Sequence, residues 1–210
     1  MYSKARLHFK KHDPKLHKAS LEFEIDDLKQ SDDLFRDIAW TIIGQQLSGK
    51  AADTIFGRFK RLFQGELVVA EEIMKISDTD MRKAGLSGAK SRAIKDLAQK
   101  TLSGEVNIEK LPALSDAEVQ AELTKVKGIG PWTAEMILMF SLGRTDVFSR
   151  GDLGLQKGLM HVYGWKKLPS EKKVLAIIEK WSPYRTYAAR VLWRIADQKK
   201  ARIARKRPQA

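Results

Sequence analysis

A chain of 210 residues with 43% hydrophobic content can bury a substantial core, and the length suits one domain or two small lobes. Its formal net charge of +13 points to a polyanionic partner, nucleic acid ahead of a ribosomal or membrane surface. The absence of cysteine excludes disulfides, thiolate zinc sites and a cysteine-ligated iron–sulfur cluster.

Residues 1–13 are basic and weakly patterned, and Asp13-Pro14 reads as a helix start, with aspartate as the cap and proline at the first helical position. Leu34, Phe35, Ile38, Ala39, Ile42 and Ile43 recur at helical spacing behind the possible caps Asp32 and Asp33, which predicts a core helix over 34–47. Ser48-Gly49 interrupts that pattern, and Ile55, Phe56, Phe59, Leu62 and Phe63 form the apolar stripe of a second helix. Two more helices are expected within 77–102, joined at Gly85-Leu86-Ser87-Gly88. Lys90 and Arg92 beyond that turn fit either a phosphate contact or a solvated helix start. Ser115 and Glu118 have the capping-box pattern at the head of the helix that enters the next turn. Helices over 153–162, 170–181 and 184–200 complete the set, and no segment has convincing strand alternation.

The turn at Gly128-Ile129-Gly130 carries the chemistry. Both glycines can take the positive φ that a tight reversal needs, and Pro131 suits the first turn of the following helix. Amides at such a helix start point outward at the positive end of the dipole, which makes a ready phosphate site, although an ordinary glycine-capped junction has the same residues. The dinucleotide fingerprint fits less well, because Thr133 occupies the place of its third glycine and no strand precedes the turn. Further on, Asp152 stands directly before Leu-Gly-Leu-Gln and reads locally as a helix cap. Asp146, the other nearby carboxylate, reads as a loop-stabilising residue. The four histidines, His8, His12, His17 and His161, have no metal-ligand spacing, and no apolar run is long enough to span a membrane.

VKGIGPWTA resembles the helix-hairpin-helix of the superfamily of DNA base-excision glycosylases. DVFSRGDLGLQKGL resembles the loop and essential aspartate of its alkylation-repair branch, the DNA-3-methyladenine glycosylase II family. WSPYRTYAARVLW at 181–193 and IIGQQLSGKAA at 42–52 continue the likeness in the family's order, over roughly residues 14–197.

The resemblance implies an all-α, two-lobed helical bundle with a hairpin at about 116–142 and a Gly/Pro loop ending in a catalytic aspartate. The glycosylase domain would span 1–198, with the lobes bordering a cleft, and a basic tail would occupy 199–210. Removing the six basic residues of that tail from +13 leaves +7, so the body is basic on its own.

The implied activity is base-excision repair by a monofunctional DNA glycosylase that flips out alkylated purines of the 3-methyladenine and 7-methylguanine class and hydrolyses the N-glycosidic bond. Asp152 would stabilise positive charge on the sugar and orient or deprotonate a water. Trp132 stands where bifunctional members carry a Schiff-base lysine, so no strand cleavage is expected. Trp132 and Trp193 match base-pocket positions, and Met136 replaces an aromatic there. Lys125, Lys127, Gly128, Gly130 and Thr133 would hold the DNA backbone. Gln46 or Leu47 would fill the gap left by the extruded nucleotide, with a buried Leu47 at a helix end as the other reading. No cofactor is required, and main-chain carbonyls of Thr124, Val126 and Ile129 would hold a Na+ or K+ ion. The expected partner is double-stranded DNA containing alkylated bases, met by a monomer with no membrane association, in the cytoplasm of a prokaryote or the nucleus of a eukaryote. Two alternatives stay open: a glycosylase for a deaminated or oxidised base, and a non-catalytic DNA-binding module.

Overall fold

The computed structural model describes residues 1–63 and 68–206, with side chains through residue 200. In chain order the helices are α1 (Tyr2–His12), α2 (Pro14–Ser20), α3 (Leu34–Gly44), α4 (Gly49–Lys60), α5 (Ala70–Lys75) and α6 (Asp78–Lys83). They continue as α7 (Gly88–Leu102), α8 (Asp116–Leu123), α9 (Pro131–Phe140), α10 (Leu153–Tyr163), α11 (Glu171–Ile178) and α12 (Arg185–Lys206). Short 3-10 segments occupy Ile108–Ala113 and Glu179–Trp181, and no strand occurs among the described residues. None of these helices is long and apolar enough to cross a membrane.

The chain divides into two units. One combines both ends, Met1–Leu28 with Arg144–Ala210, and the other is the insert Lys29–Gly143. In the insert, α3 buries Ile38, Ala39, Ile42 and Ile43 against α4, α7 and α9, the stripe that the sequence pattern requires. α3 stops at Gly44, three residues short of the expected end, and its cap is Asp33, which accepts from the Arg36 amide at 2.9 Å. α5 and the 3-10 segment at Ile108–Ala113 are additions that the pattern did not predict.

In the two-ended unit, α1 precedes the helix start read at Asp13-Pro14 and occupies the segment whose pattern was too weak to assign. Its apolar positions are sparse, but Tyr2, Ala5 and Phe9 share one face and are buried. Asp13 caps α2 through the Leu16 amide at 3.1 Å. Its other carboxylate oxygen accepts from Trp181 Nε1 at 2.9 Å and from the Tyr163 hydroxyl, which ties the N-terminal helices to residues far along the chain. Burial, first, and then the Asp13 carboxylate push the Tyr163 phenol well above its ordinary pKa.

α10 lies along α12 with Gly158 at the contact: a Cβ there would come within 2.5 Å of the Leu192 carbonyl oxygen. α12 runs unbroken through residue 198 to Lys206, so its helix carries the first part of the basic tail, and residues 207–210 lie outside the described residues.

Candidate active site and nucleic-acid interface

The hairpin forms as a capped helix, a glycine turn and a proline-started helix. Ser115 and Glu118 complete the capping box of α8, with the Ser115 amide donating to Glu118 at 2.8 Å. Of the two turn glycines only Gly128 takes a positive φ, +86°, while Gly130 is extended and serves as the cap of α9. A Cβ on Gly130 would meet no atom within 4 Å, so this side of the turn has room for a ligand's close approach.

The polar groups around the turn are partly committed. Lys125 pairs with Glu122 at 2.6 Å and donates to the Glu105 carbonyl at 3.1 Å, so its ammonium, though 43% exposed, braces α8. The Lys127 amide donates to Asp96 at 2.8 Å, while its side chain is 81% exposed. Lys100 donates to the Lys125 carbonyl. Thr133 is buried, and its hydroxyl receives Gln45 Nε2 at 3.1 Å, which turns that side chain away from a direct phosphate contact.

The loop after α3 is fastened to the same turn. Gln45 Nε2 also donates to the Gly128 carbonyl at 2.8 Å. Lys90 reaches the carbonyls of Ile43 at 2.7 Å and Gln45 at 2.9 Å, an internal capping role in place of the phosphate contact considered for it. Burial holds the Lys90 pKa below its ordinary value. Gln46 adopts φ +60°, the left-handed region that non-glycine residues seldom occupy, and its side chain is exposed. Leu47 is 38% exposed, which removes the reading of a buried helix end. Both wedge candidates are therefore displayed on a loop anchored at either side.

Trp132 and Met136 line one cavity of about 650 Å³, within the size range of small-ligand sites. Trp40, Phe56 and Phe140 line it as well, and so does Leu47. Trp40 and Trp132 are 38% and 42% exposed, so both indoles are partly accessible to solvent. The sequence stripe missed Trp40, whose indole nitrogen donates to Asp53 at 3.1 Å. The available signal was Arg36, Trp40 and Gly44 at i, i+4 and i+8, a second face of α3 that also lines the cavity.

Trp193 belongs to the two-ended unit and is not among the residues lining that cavity. Its Nε1 donates to Asp152 Oδ1 at 3.0 Å, and the same oxygen accepts from the Leu155 amide at 2.8 Å. Asp152 is thus the cap of α10, as its local sequence reads, and a half-buried carboxylate oriented by an indole.

The loop leading to Asp152 is pinned to the start of α12. Arg185 clamps Asp146 through Nε at 2.7 Å and a terminal nitrogen at 2.8 Å, Ser182 adds a third bond, and the Thr186 hydroxyl bridges the Arg144 carbonyl and the Val147 amide. Burial opposes ionisation of Asp146, but the bonds from Arg185 and Ser182 outweigh it and hold its pKa below the usual value. Its contribution to stability is present above the unfolded aspartate pKa, about 3.9, and is lost as pH falls through the lower folded value. Asp146→Asn is expected to lower unfolding free energy by about 1 kcal/mol at neutral pH, with the deficit closing as pH drops below about 4. Urea unfolding across pH reads this directly, and a deficit that persists at the acid end would show that Asp146 acts only through packing.

Residues 39–183 match the HhH-GPD superfamily of base excision DNA repair proteins. The chain belongs to this superfamily. The HhH-GPD chain is 38% identical to DNA-3-methyladenine glycosylase 1 of Schizosaccharomyces pombe over 76% of its own length and 71% of the relative. It spans only 57% of the DNA-3-methyladenine glycosylase of Bacillus subtilis, at 28% identity. The structure of S. pombe 3-methyladenine DNA glycosylase Mag1 in complex with abasic DNA superposes with a TM-score of 0.81 and 34% identity, covering 91% of this chain and 95% of that one. A DNA-3-methyladenine glycosidase from Bacillus halodurans superposes with a TM-score of 0.79 at 35% identity, covering 92% and 89%. The all-helical HhH-GPD architecture and its place among base-excision glycosylases are therefore shown.

Proposed function

We propose that this HhH-GPD protein is a monofunctional glycosylase that excises alkylated purines from double-stranded DNA by hydrolysis. The observation that carries the reading is Asp152, a carboxylate fixed by the Leu155 amide and the Trp193 indole at the end of a pinned loop. Departure of the base leaves positive charge on the deoxyribose, and a pre-oriented carboxylate stabilises that charge and positions or deprotonates the attacking water. No reorganisation of the side chain is needed as the charge develops.

The aromatic cavity favours a base that is itself cationic. Alkylation of a ring nitrogen makes the purine both a better leaving group and a better partner for a cavity lined by the indoles Trp40 and Trp132, with Met136 as a polarizable filler. Trp132 offers no amine, so the reaction ends at an abasic site. Gln46 or Leu47 fills the vacated stack, and Lys127 with the amides near Gly128 and Gly130 grips the backbone without reading sequence.

The family's monovalent cation would lie on the carbonyls of Thr124, Val126 and Ile129. They fit in part: the Val126 carbonyl accepts the Ile129 amide at 3.1 Å and keeps one lone pair, and these are neutral oxygens suited to Na+ or K+. When bound, the ion would supply positive charge for a phosphate.

Release of free base from duplexes carrying 7-methylguanine, a deaminated base or an oxidised base tests the assignment. The methylated purine is expected to leave fastest, with strand nicks only after alkali. Faster release of either other base would replace the substrate class, and nicks without alkali would overturn hydrolysis as the sole chemistry.

A further inference from the structure

The unit that carries Asp152 has a second feature that the reaction does not use. A groove of about 1000 Å³ begins at Leu153 and Gly154, immediately after the carboxylate, and runs between α10, the loop at 166–168 and the far part of α12. Five lysines line it, Lys157, Lys166, Lys167, Lys199 and Lys200, and all are exposed. Among the described residues none of the five is in an ion pair, and Asp197 is the one carboxylate in the lining. This differs from the hairpin, where Lys125 is already paired with Glu122. A chain with this net charge thus concentrates unneutralised cations on the face that continues from its carboxylate.

We infer that this groove is a binding track for the phosphodiester backbone of duplex DNA, engaging phosphates beyond the nucleotide whose sugar meets Asp152. Three observations favour this occupant. The charge is nearly all of one sign and comes from three separate elements, which suits a linear polyanion better than a single anion. The groove is continuous with the candidate catalytic carboxylate: a Cβ on Gly154 would lie 3.0 Å both from Asp152 Oδ1 and from the Trp193 ring. A strand presenting a sugar there must carry its adjoining phosphates past the start of α10. Finally, a single imidazole, His161, is the one aromatic ring in the lining, so the groove offers no row of platforms for successive unstacked bases and suits a backbone held from outside. Leu153 and Leu168, each half exposed, provide an apolar floor for the sugar edges. The inference rests on the reading that the protein acts on DNA, and it adds where the phosphates go.

Binding of the full chain to an undamaged, fluorescently labelled duplex over a salt series tests it. The triple variant Lys166→Glu/Lys167→Glu/Lys199→Glu is compared with Lys10→Glu/Lys11→Glu/Lys18→Glu, which changes net charge equally on exposed residues of the N-terminal helices. Loss of three phosphate contacts should flatten the slope of log K against log salt by roughly 2 to 3, and weaken binding at least about tenfold, well beyond the control. If the glutamate variant does not fold, the corresponding glutamine triple is used and should flatten the slope in the same direction. Equal slopes for groove and control variants would overturn the inference and leave the groove to an acidic protein segment. Failure of the unaltered protein to bind duplex at all would instead sink the DNA-acting reading itself, so the two failures are distinct.

Discussion

Asp152→Asn is expected to reduce base release from methylated duplex DNA by a factor on the order of 10² to 10⁴, while the protein stays folded. The two halves of that expectation have separate physical origins. Asparagine is as good a helix cap as aspartate, and its side-chain oxygen can still accept from the Leu155 amide and the Trp193 indole, so α10 keeps its start. What disappears is the negative charge that the cationic sugar requires. Single-turnover excision measured beside thermal unfolding separates the two. Near-normal excision by a folded variant would remove Asp152 from the chemistry, and loss of folding would make its capping role the dominant one.

Gly158→Ala should destabilise the protein by about 2 kcal/mol, the reverse of the usual sign for this exchange inside a helix. Alanine normally stabilises a helix interior by about 1 kcal/mol relative to glycine. Here the new methyl would sit 2.5 Å from the Leu192 carbonyl oxygen and 2.8 Å from its Cβ, and a backbone atom cannot rotate out of the way as a side-chain tip can. α10 and α12 must therefore separate. Because α10 starts at Asp152 and α12 carries Trp193, the separation also disturbs the 3.0 Å bond between them. A fall in melting temperature of roughly 4–8 °C with reduced excision by the folded protein is the expected result. A stabilised variant would mean that the helix pair has slack that the contact distances deny.

Much of the helical framework was legible because its signals are local. The stripe Ile38, Ala39, Ile42 and Ile43, the capping box at Ser115 and the proline at 131 each depend on residues within a turn of one another, and each appears as expected. α1 was missed because three buried residues among many charged ones give too thin a pattern, and its helix is secured by partners far along the sequence. The same reason hid the bonds that join the residues of the candidate site. Trp193 and Asp152 are 41 residues apart, Gln45 and Gly128 are 83 apart, and no spacing rule connects either pair. Lysines illustrate the limit most clearly: Lys90, Lys125 and Lys127 look alike in sequence, yet one caps carbonyls, one braces a glutamate and one extends outward. Distinguishing them requires knowing which oxygens the folded chain brings near.

The two-ended unit has a consequence for biosynthesis. Its N-terminal piece, Met1–Leu28, is made before the insert but meets its distant partners only when the last helices emerge, since Asp13 waits for Trp181 and the Leu28 amide for the Tyr187 hydroxyl. The insert has every one of its own segments in hand once residue 143 has been made. Order of synthesis therefore imposes an order of completion, with the half that bears the carboxylate closing last. A chain terminated between residues 152 and 193 would hold Asp152 without the indole that orients it, so the carboxylate is finished only when α12 is made.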